Sequence, residues 1–371
     1  MNKSNHVTAE EVTLARAHNI LKEGTRLTRY GTKDPIVIGD ATFEFDYRRD
    51  TFEFHLDPDK LKYIGIPRFD PDSHSKTFLT NSGQAAMTAC YFYIDKVLNI
   101  NEIESHNDYL YVGAYRLQDL YKIKHTKNPS RCLWICSTAT EFEKTLELKG
   151  NWEVVVVDTT CWAVGSVELQ KIYDHFKHCG LLIFFRSHSK LDMGGIEYGS
   201  LGNLTVFAKD SKKFQEASFH FRMSLGLNAG YAILDEIPPY LFSEDFFERS
   251  KKRCQHIVEN SKLVQEFTNN ESNNFIKMGK FIFPDHYKYF FFRFYKDIQK
   301  EEIDLIVKRL NIMLNLYLPA ARSCASFGFN FPSVTFYQSD ENIGYFVRFS
   351  PGVIGKEEIQ KLCLCIREVL K

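Results

Sequence analysis

The chain has 371 residues; its 47 lysines and arginines equal its 47 aspartates and glutamates, and 44% of it is apolar. That composition excludes a disordered chain, and at ~100–200 residues per domain the length predicts two or three domains. A neutral balance without a basic block argues against nucleic acid or an anionic membrane as partner. No apolar run nears the ~18 residues of a membrane span, so a protein of the cytoplasm is expected.

In chain order, Ala9–Lys22 has the apolar spacing of an amphipathic helix. A polar, aromatic-rich stretch follows, and residues 1–75 are expected to form an N-terminal segment. From Lys76 strands and helices alternate. Strands are predicted at Thr77–Thr80, Arg131–Cys136, Trp152–Asp158 and Gly180–Phe185, with helices at Ala85–Leu98, Glu141–Leu148 and Ser166–Lys177 between them. Strands that are apolar throughout and separated by helices predict a mostly parallel sheet covered on both faces. This α/β domain is expected over 76–238, ending at the prolines of Asp235–Pro239. A smaller α+β domain is expected over 239–371, with helices at Ser243–Thr268, Lys300–Leu314 and from Lys356, and strands at Lys288–Phe294 and Gly344–Phe349. The nine cysteines are scattered and odd in number, which fits free thiols in a reducing compartment. Cys132 and Cys136 lack a matching second pair, so no metal is expected.

Open parallel sheets bind ligands at the carboxyl ends of their strands, and four segments there carry suggestive residues. Asn81-Ser82-Gly83-Gln84 links a strand to a helix. It is either an ordinary cap or a turn whose amides face a phosphate. Asp158 ends a run of four valines, as a cap or as the partner of a buried cation. Ser187-His188-Ser189-Lys190 ends a buried strand with a lysine that is either a solvated loop residue or a nucleophilic amine, flanked by two hydroxyls that alternate and so face one side of an extended chain, where they can hydrogen-bond an anion. Arg348, between strand apolars, has the fork to grip a carboxylate or forms a surface ion pair.

Taken in order, these segments resemble the fold-type-I pyridoxal-5′-phosphate enzymes. The nearest likeness is to the branch of cysteine and methionine metabolism lyases and transferases. Ser82-Gly83-Gln84-Ala85-Ala86 is similar to the family's phosphate turn, and Tyr111-Val112-Gly113-Ala114-Tyr115-Arg116 to the segment whose first tyrosine stacks on the cofactor ring. Val157-Asp158-Thr159-Thr160, Ser187-His188-Ser189-Lys190 and Val347-Arg348-Phe349-Ser350 resemble the remaining motifs. Two departures stand out. A whole helix and strand separate Asp158 from Lys190, as in the aminotransferases and decarboxylases of this fold, and Leu191–Gly199 does not follow the lyase pattern.

The resemblance implies pyridoxal 5′-phosphate as cofactor, bound to Lys190 as a Schiff base, with Asp158 on the pyridine nitrogen and Tyr111 stacked on the ring. Ser82, Gly83, Gln84, Ser187 and Ser189 would anchor the phosphate, and Arg348 the substrate carboxylate. The reaction implied is Cα carbanion chemistry on an amino acid or derived amine: elimination, replacement or transamination. Decarboxylation is the alternative, and a non-catalytic binding or regulatory protein on this fold is the alternative of another class. The family also implies a homodimer, in which Tyr47 and Arg49 are candidates to reach the partner's phosphate site.

Overall fold

The computed structural model describes residue 70 and residues 72–370 apart from 107–111, 138–141, 196–199, 233–240, 242, 272–274, 276, 325 and 339–343, together with the backbone of three short strands before them. The Ala9–Lys22 stretch, Tyr47, Arg49, Tyr111 and the expected boundary at 235–239 lie outside the described residues.

The chain divides into two compact units, one of Ala9–Met193 with Glu197–Lys251, the other built on Lys252–Lys371 with Gly194–Ile196. In the first, β1 (Ile36–Ile38), β2 (Ala41–Phe45) and β3 (Phe52–His55) make a small antiparallel sheet. The main sheet has seven strands. These are β4 (His74–Thr80), β5 (Glu102–Glu104), β6 (Lys124–Thr126), β7 (Cys132–Cys136), β8 (Val154–Asp158), β9 (Leu181–Ser187) and β10 (Gly202–Ala208), in the order β4-β10-β9-β8-β7-β5-β6. Strands β5 to β9 run parallel to one another, and β10 runs antiparallel between β4 and β9.

The four valines of β8 explain why this sheet is covered on both sides. Val155 and Val157 enter one core with Leu169, Ile172 and Phe176 of helix α4 (Val167–Phe176). Val154 and Val156 enter the other, with Ala86, Ala89 and Cys90 of α1 (Gly83–Phe92) and Phe221 of α6 (Ser211–Leu227). All four valines are fully buried, each worth ~1.5–3 kcal/mol of transfer from water. Between α1 and α4 come α2 (Val112–Tyr121) and α3 (Phe142–Glu147); α5 (His188–Leu191) is a single turn after β9. The helix expected to reach Leu98 instead widens into a π-helical turn at Tyr93–Val97, which keeps Tyr93 and Ile94 buried.

The second unit has a five-stranded sheet, β11 (Gly279–Ile282), β12 (Phe290–Phe294), β15 (Tyr345–Ser350), β14 (Ser333–Gln338) and β13 (Arg322–Ser323) in that order. Phe290, Phe292 and Phe294 alternate onto one face of β12. There they meet α8 (Lys300–Tyr317), α9 (Lys356–Leu370) and residues of α7 (Glu244–Asn270). All nine cysteines are free and seven are buried. No helix among the described residues is long and apolar enough to cross a membrane.

Candidate active site at the carboxyl edge of the main sheet

The register of three strands builds the centre of the site. Gly202 of β10 pairs with Thr80 of β4 on one side and Ser187 of β9 on the other, so the ends of β4 and β9 stand in one row. The Asn81–Gly83 turn folds over that row. A Cβ on Gly202 would lie 2.5 Å from the Ser82 carbonyl carbon, and one on Gly83 would lie 2.7 Å from Ser187 Cβ. Two positions without side chains are what let the turn touch β9.

Ser82 is the N-cap of α1. Its hydroxyl oxygen accepts from the Ala85 amide at 3.1 Å and its O–H donates to Asn81 Oδ1 at 3.0 Å. Its carbonyl accepts from the Ala86 amide at 3.2 Å. Helix geometry leaves the first four amides without partners of their own, so the amides of Gly83 and Gln84 are the donors that the cap does not use. Thr80 Oγ1 donates to the Ser82 carbonyl at 2.8 Å and Asn81 Nδ2 to the Ala229 carbonyl at 2.9 Å, which holds the turn at both ends. A cavity of about 230 Å³ opens beside it, lined by Asn81, Ser82 and Gln84 together with Ser224 and Asn228 of the segment around the end of α6.

Asp158 ends β8 and is 6% exposed. Its Oδ1 accepts from the Thr160 amide at 2.9 Å, and the Cys136 thiol lies 4.0 Å from its Oδ2. Burial raises its carboxyl above the usual range, with the Thr160 hydrogen bonds and the more distant Arg186 charge offsetting part of that. No cation pairs with it among the described residues. Thr160 also ties this loop to the next strand, because its Oγ1 accepts from the Ser187 amide at 3.1 Å.

Lys190 is half-buried on α5. The backbone turns helical at His188, so the extended course expected for Ser187 to Lys190 ends at Ser187. The two hydroxyls therefore separate: Ser187 meets Gly83, while Ser189 is buried and accepts from the Leu201 amide at 3.4 Å. Gln84 is exposed. Arg348 belongs to the second unit, on β15. There its guanidinium lies 5.4 Å from the Tyr289 ring centre and 5.9 Å from that of Phe327, and Nη2 donates to the Ser326 carbonyl at 3.1 Å. Tyr111 lies outside the described residues.

Sequence reasoning missed Arg186, Asp192 and His188, a fully buried cluster around the lysine. The available signal was an arginine ending an apolar strand, with a histidine two residues later and an aspartate six residues later.

No family model matches the sequence, and no curated protein matches it. Solved structures do. A cystathionine gamma-synthase from Xanthomonas oryzae pv. oryzae, in complex with cystathionine, aligns over 95% of this chain and 97% of its own with TM-score 0.58 and 16% identity. An aromatic amino acid aminotransferase from Burkholderia cenocepacia J2315 aligns over 95% and 87%, with TM-score 0.57 and 10% identity. The methionine gamma lyase CalE6 from Micromonospora echinospora aligns over 80% of each chain, with TM-score 0.51 and 14% identity. The fold is that of the fold-type-I pyridoxal-phosphate enzymes.

Proposed function

We propose that this chain is a pyridoxal-5′-phosphate-dependent enzyme acting on an amino acid or a derived amine, as a lyase or transferase. The observation that supports it is the row Thr80–Gly202–Ser187. A turn with unused amides, a lysine on the short helix that follows the row and a buried carboxylate with no cation partner among the described residues share that sheet edge. These groups suit three parts of one molecule: a phosphate, an aldehyde and a protonated ring nitrogen. When bound, the cofactor supplies an electron-withdrawing ring conjugated to the carbon that undergoes reaction.

The chain's own residues would divide the work as follows. The Gly83 and Gln84 amides would hold the phosphate with the hydroxyls of Ser82, Ser187 and Ser189. The Ser189 oxygen accepts from Leu201, and its O–H would donate to the phosphate. Tyr111 would stack on the ring. Asp158 would keep the ring nitrogen protonated; a carboxylate whose ionisation burial opposes gains most from a cationic partner. Lys190 Nζ would bind the aldehyde carbon and afterwards take and return the α-proton. Arg348 would take the substrate carboxylate, its planar group steadied by Tyr289 and Phe327. By fixing how the substrate carboxylate is oriented, Arg348 would favour loss of the α-proton over decarboxylation. The enzyme would work as a cytoplasmic homodimer, which sedimentation at several concentrations checks.

The test is an absorbance spectrum of the protein with added pyridoxal phosphate, on the parent and on Lys190→Ala. A band near ~420 nm is expected in the parent and not in the variant, and borohydride should leave a pyridoxyl group on the Lys190 peptide. A parent that stays colourless and takes up no label would remove the reading.

A further inference from the structure

The strand end that carries Lys190 holds a second set of ionisable groups, which the proposed reaction does not use. Arg186 is wholly buried on β9, and its guanidinium grips Asp192 with two hydrogen bonds, Nε to Oδ2 at 3.0 Å and Nη2 to Oδ1 at 3.2 Å. On the other side, His188 Nδ1 is 2.8 Å from Asp192 Oδ2. None of the three is more than 1% exposed. The remaining nitrogen of Arg186, Nη1, donates to the carbonyls of Thr159 at 3.2 Å and Trp162 at 3.1 Å, both in the segment that leaves Asp158. One guanidinium thus joins the loop after Asp158 to the residue that ends the Lys190 turn.

A four-residue helix cannot hold itself together, because nucleation fixes several residues for one hydrogen bond. In α5 that bond is Asp192 N–H to the His188 carbonyl, at 3.3 Å. The side chain of Asp192 then reaches back to His188 at the start of the turn and to Arg186 on the strand before it. Lys190 stands between these anchors. Buried ion pairs seldom add stability over apolar packing of the same volume, and where they matter they fix one geometry against others. The protonation states suit that purpose. Burial works against the Asp192 charge, but Arg186 and the His188 hydrogen bond outweigh it and hold the carboxyl below its usual range. Burial lowers His188, which therefore stays neutral with Nδ1–H donating to the carboxylate.

We propose that Arg186, Asp192 and His188 are positioning residues for the Lys190 amine, with Asp192 the hub that fixes the lysine's turn against the Asp158 loop. The proposal rests on reading Lys190 as the reactive amine. A substitution that frees the turn moves the lysine out of line with its reaction partner and also exposes it. Two labels therefore respond in opposite directions.

In full-length Asp192→Asn, the rate of borohydride-trapped pyridoxyl incorporation at Lys190 is expected to fall by about a hundredfold, the scale of loss that goes with a misplacement near 1 Å. Acetylation of Lys190 by acetic anhydride, measured against exposed Lys149, is expected to rise about threefold as the turn opens locally. His188→Gln, which still donates to Asp192, should keep both values close to the parent's, whereas His188→Leu should move both in the direction of Asp192→Asn. A cooperatively folded Asp192→Asn with parental labelling at Lys190 would overturn the proposal. If Asp192→Asn does not fold, the two His188 variants decide, and identical behaviour of Gln and Leu would overturn it. If the parent takes up no pyridoxyl group, the cofactor role of Lys190 falls on its own. The acetylation ratios then decide positioning: a rise in Asp192→Asn supports it and an unchanged ratio overturns it.

Discussion

Two buried aspartates, one ending β8 and one in the turn after β9, have opposite surroundings. Asp192 is saturated: an arginine takes both oxygens, a histidine takes one of them again, and the carboxyl is held below its usual range. Asp158 has neutral partners, Thr160 and a distant thiol, and burial raises it. Arg186 reaches the loop after Asp158, yet it donates there to carbonyl oxygens and not to the carboxylate. The difference separates two uses of one residue type. A carboxylate whose hydrogen-bonding capacity is filled by the protein holds structure, and one left without a cation is suited to a ligand that brings its own.

The comparison breaks most directly at Arg186. Arg186→Met would leave Asp192 buried beside a single neutral histidine, and urea unfolding of the ligand-free protein should show a loss of ~3–5 kcal/mol. A loss below ~1 kcal/mol would mean that Asp192 is not held as described. Gly202→Ala comes next, since its new Cβ meets the Ser82 backbone and not a side chain that can rotate away. A loss of ~1–3 kcal/mol is expected, with weaker retention of pyridoxal phosphate in equilibrium dialysis; unchanged values in both would show that the turn tolerates displacement.

Asp158→Asn should act the other way and sharpen the contrast. A raised carboxyl contributes stability that is complete below the ordinary carboxyl pKa of 3.8 and is lost as pH rises through the raised value. Replacing it by a neutral amide is therefore expected to stabilise the ligand-free protein at neutral pH by ~0.5–2 kcal/mol, with the gain vanishing in acid. Asp192 carries the opposite sign: its contribution is present above 3.8 and is lost only as pH falls through its lowered value. Thermal midpoints of the parent and the two Asn variants, taken from about pH 3 to pH 8, should diverge in opposite senses. Parallel curves would end the distinction between the two aspartates.

Much of the first unit was legible in the sequence, because a parallel sheet buried on both faces writes its strands as unbroken apolar runs. Val154–Val157 and Leu181–Phe185 are such runs, and the polar residues at their ends mark the edge where a ligand would sit. Strand β10 is different. Gly202-Asn203-Leu204-Thr205 mixes polar and apolar residues, and nothing local states that it runs antiparallel between β4 and β9. The site's charged hub was hidden for a related reason. Arg186 and Asp192 are residue types expected in water, and only the register and the turn at His188 bring them together in the interior. The expectation that Ser187 and Ser189 share a face failed on that same turn: alternation holds in a strand, and the strand had already ended.

The position of β10 also sets an order of events during synthesis. Strand β4 has no neighbour in the seven-stranded sheet except β10, which follows it by more than a hundred residues and is the last of the seven to leave the ribosome. Until it arrives, the Asn81–Gly83 turn at the end of β4 and the turn after β9 lack the strand that sets them in one row. A nascent chain can pair β7, β8 and β9 as each emerges, but the row across Gly202 is a long-range closure and forms late. On the proposed reading the site is complete only once β10 has joined the sheet, so a partly made chain would carry Lys190 without the Asn81–Gly83 turn set beside it.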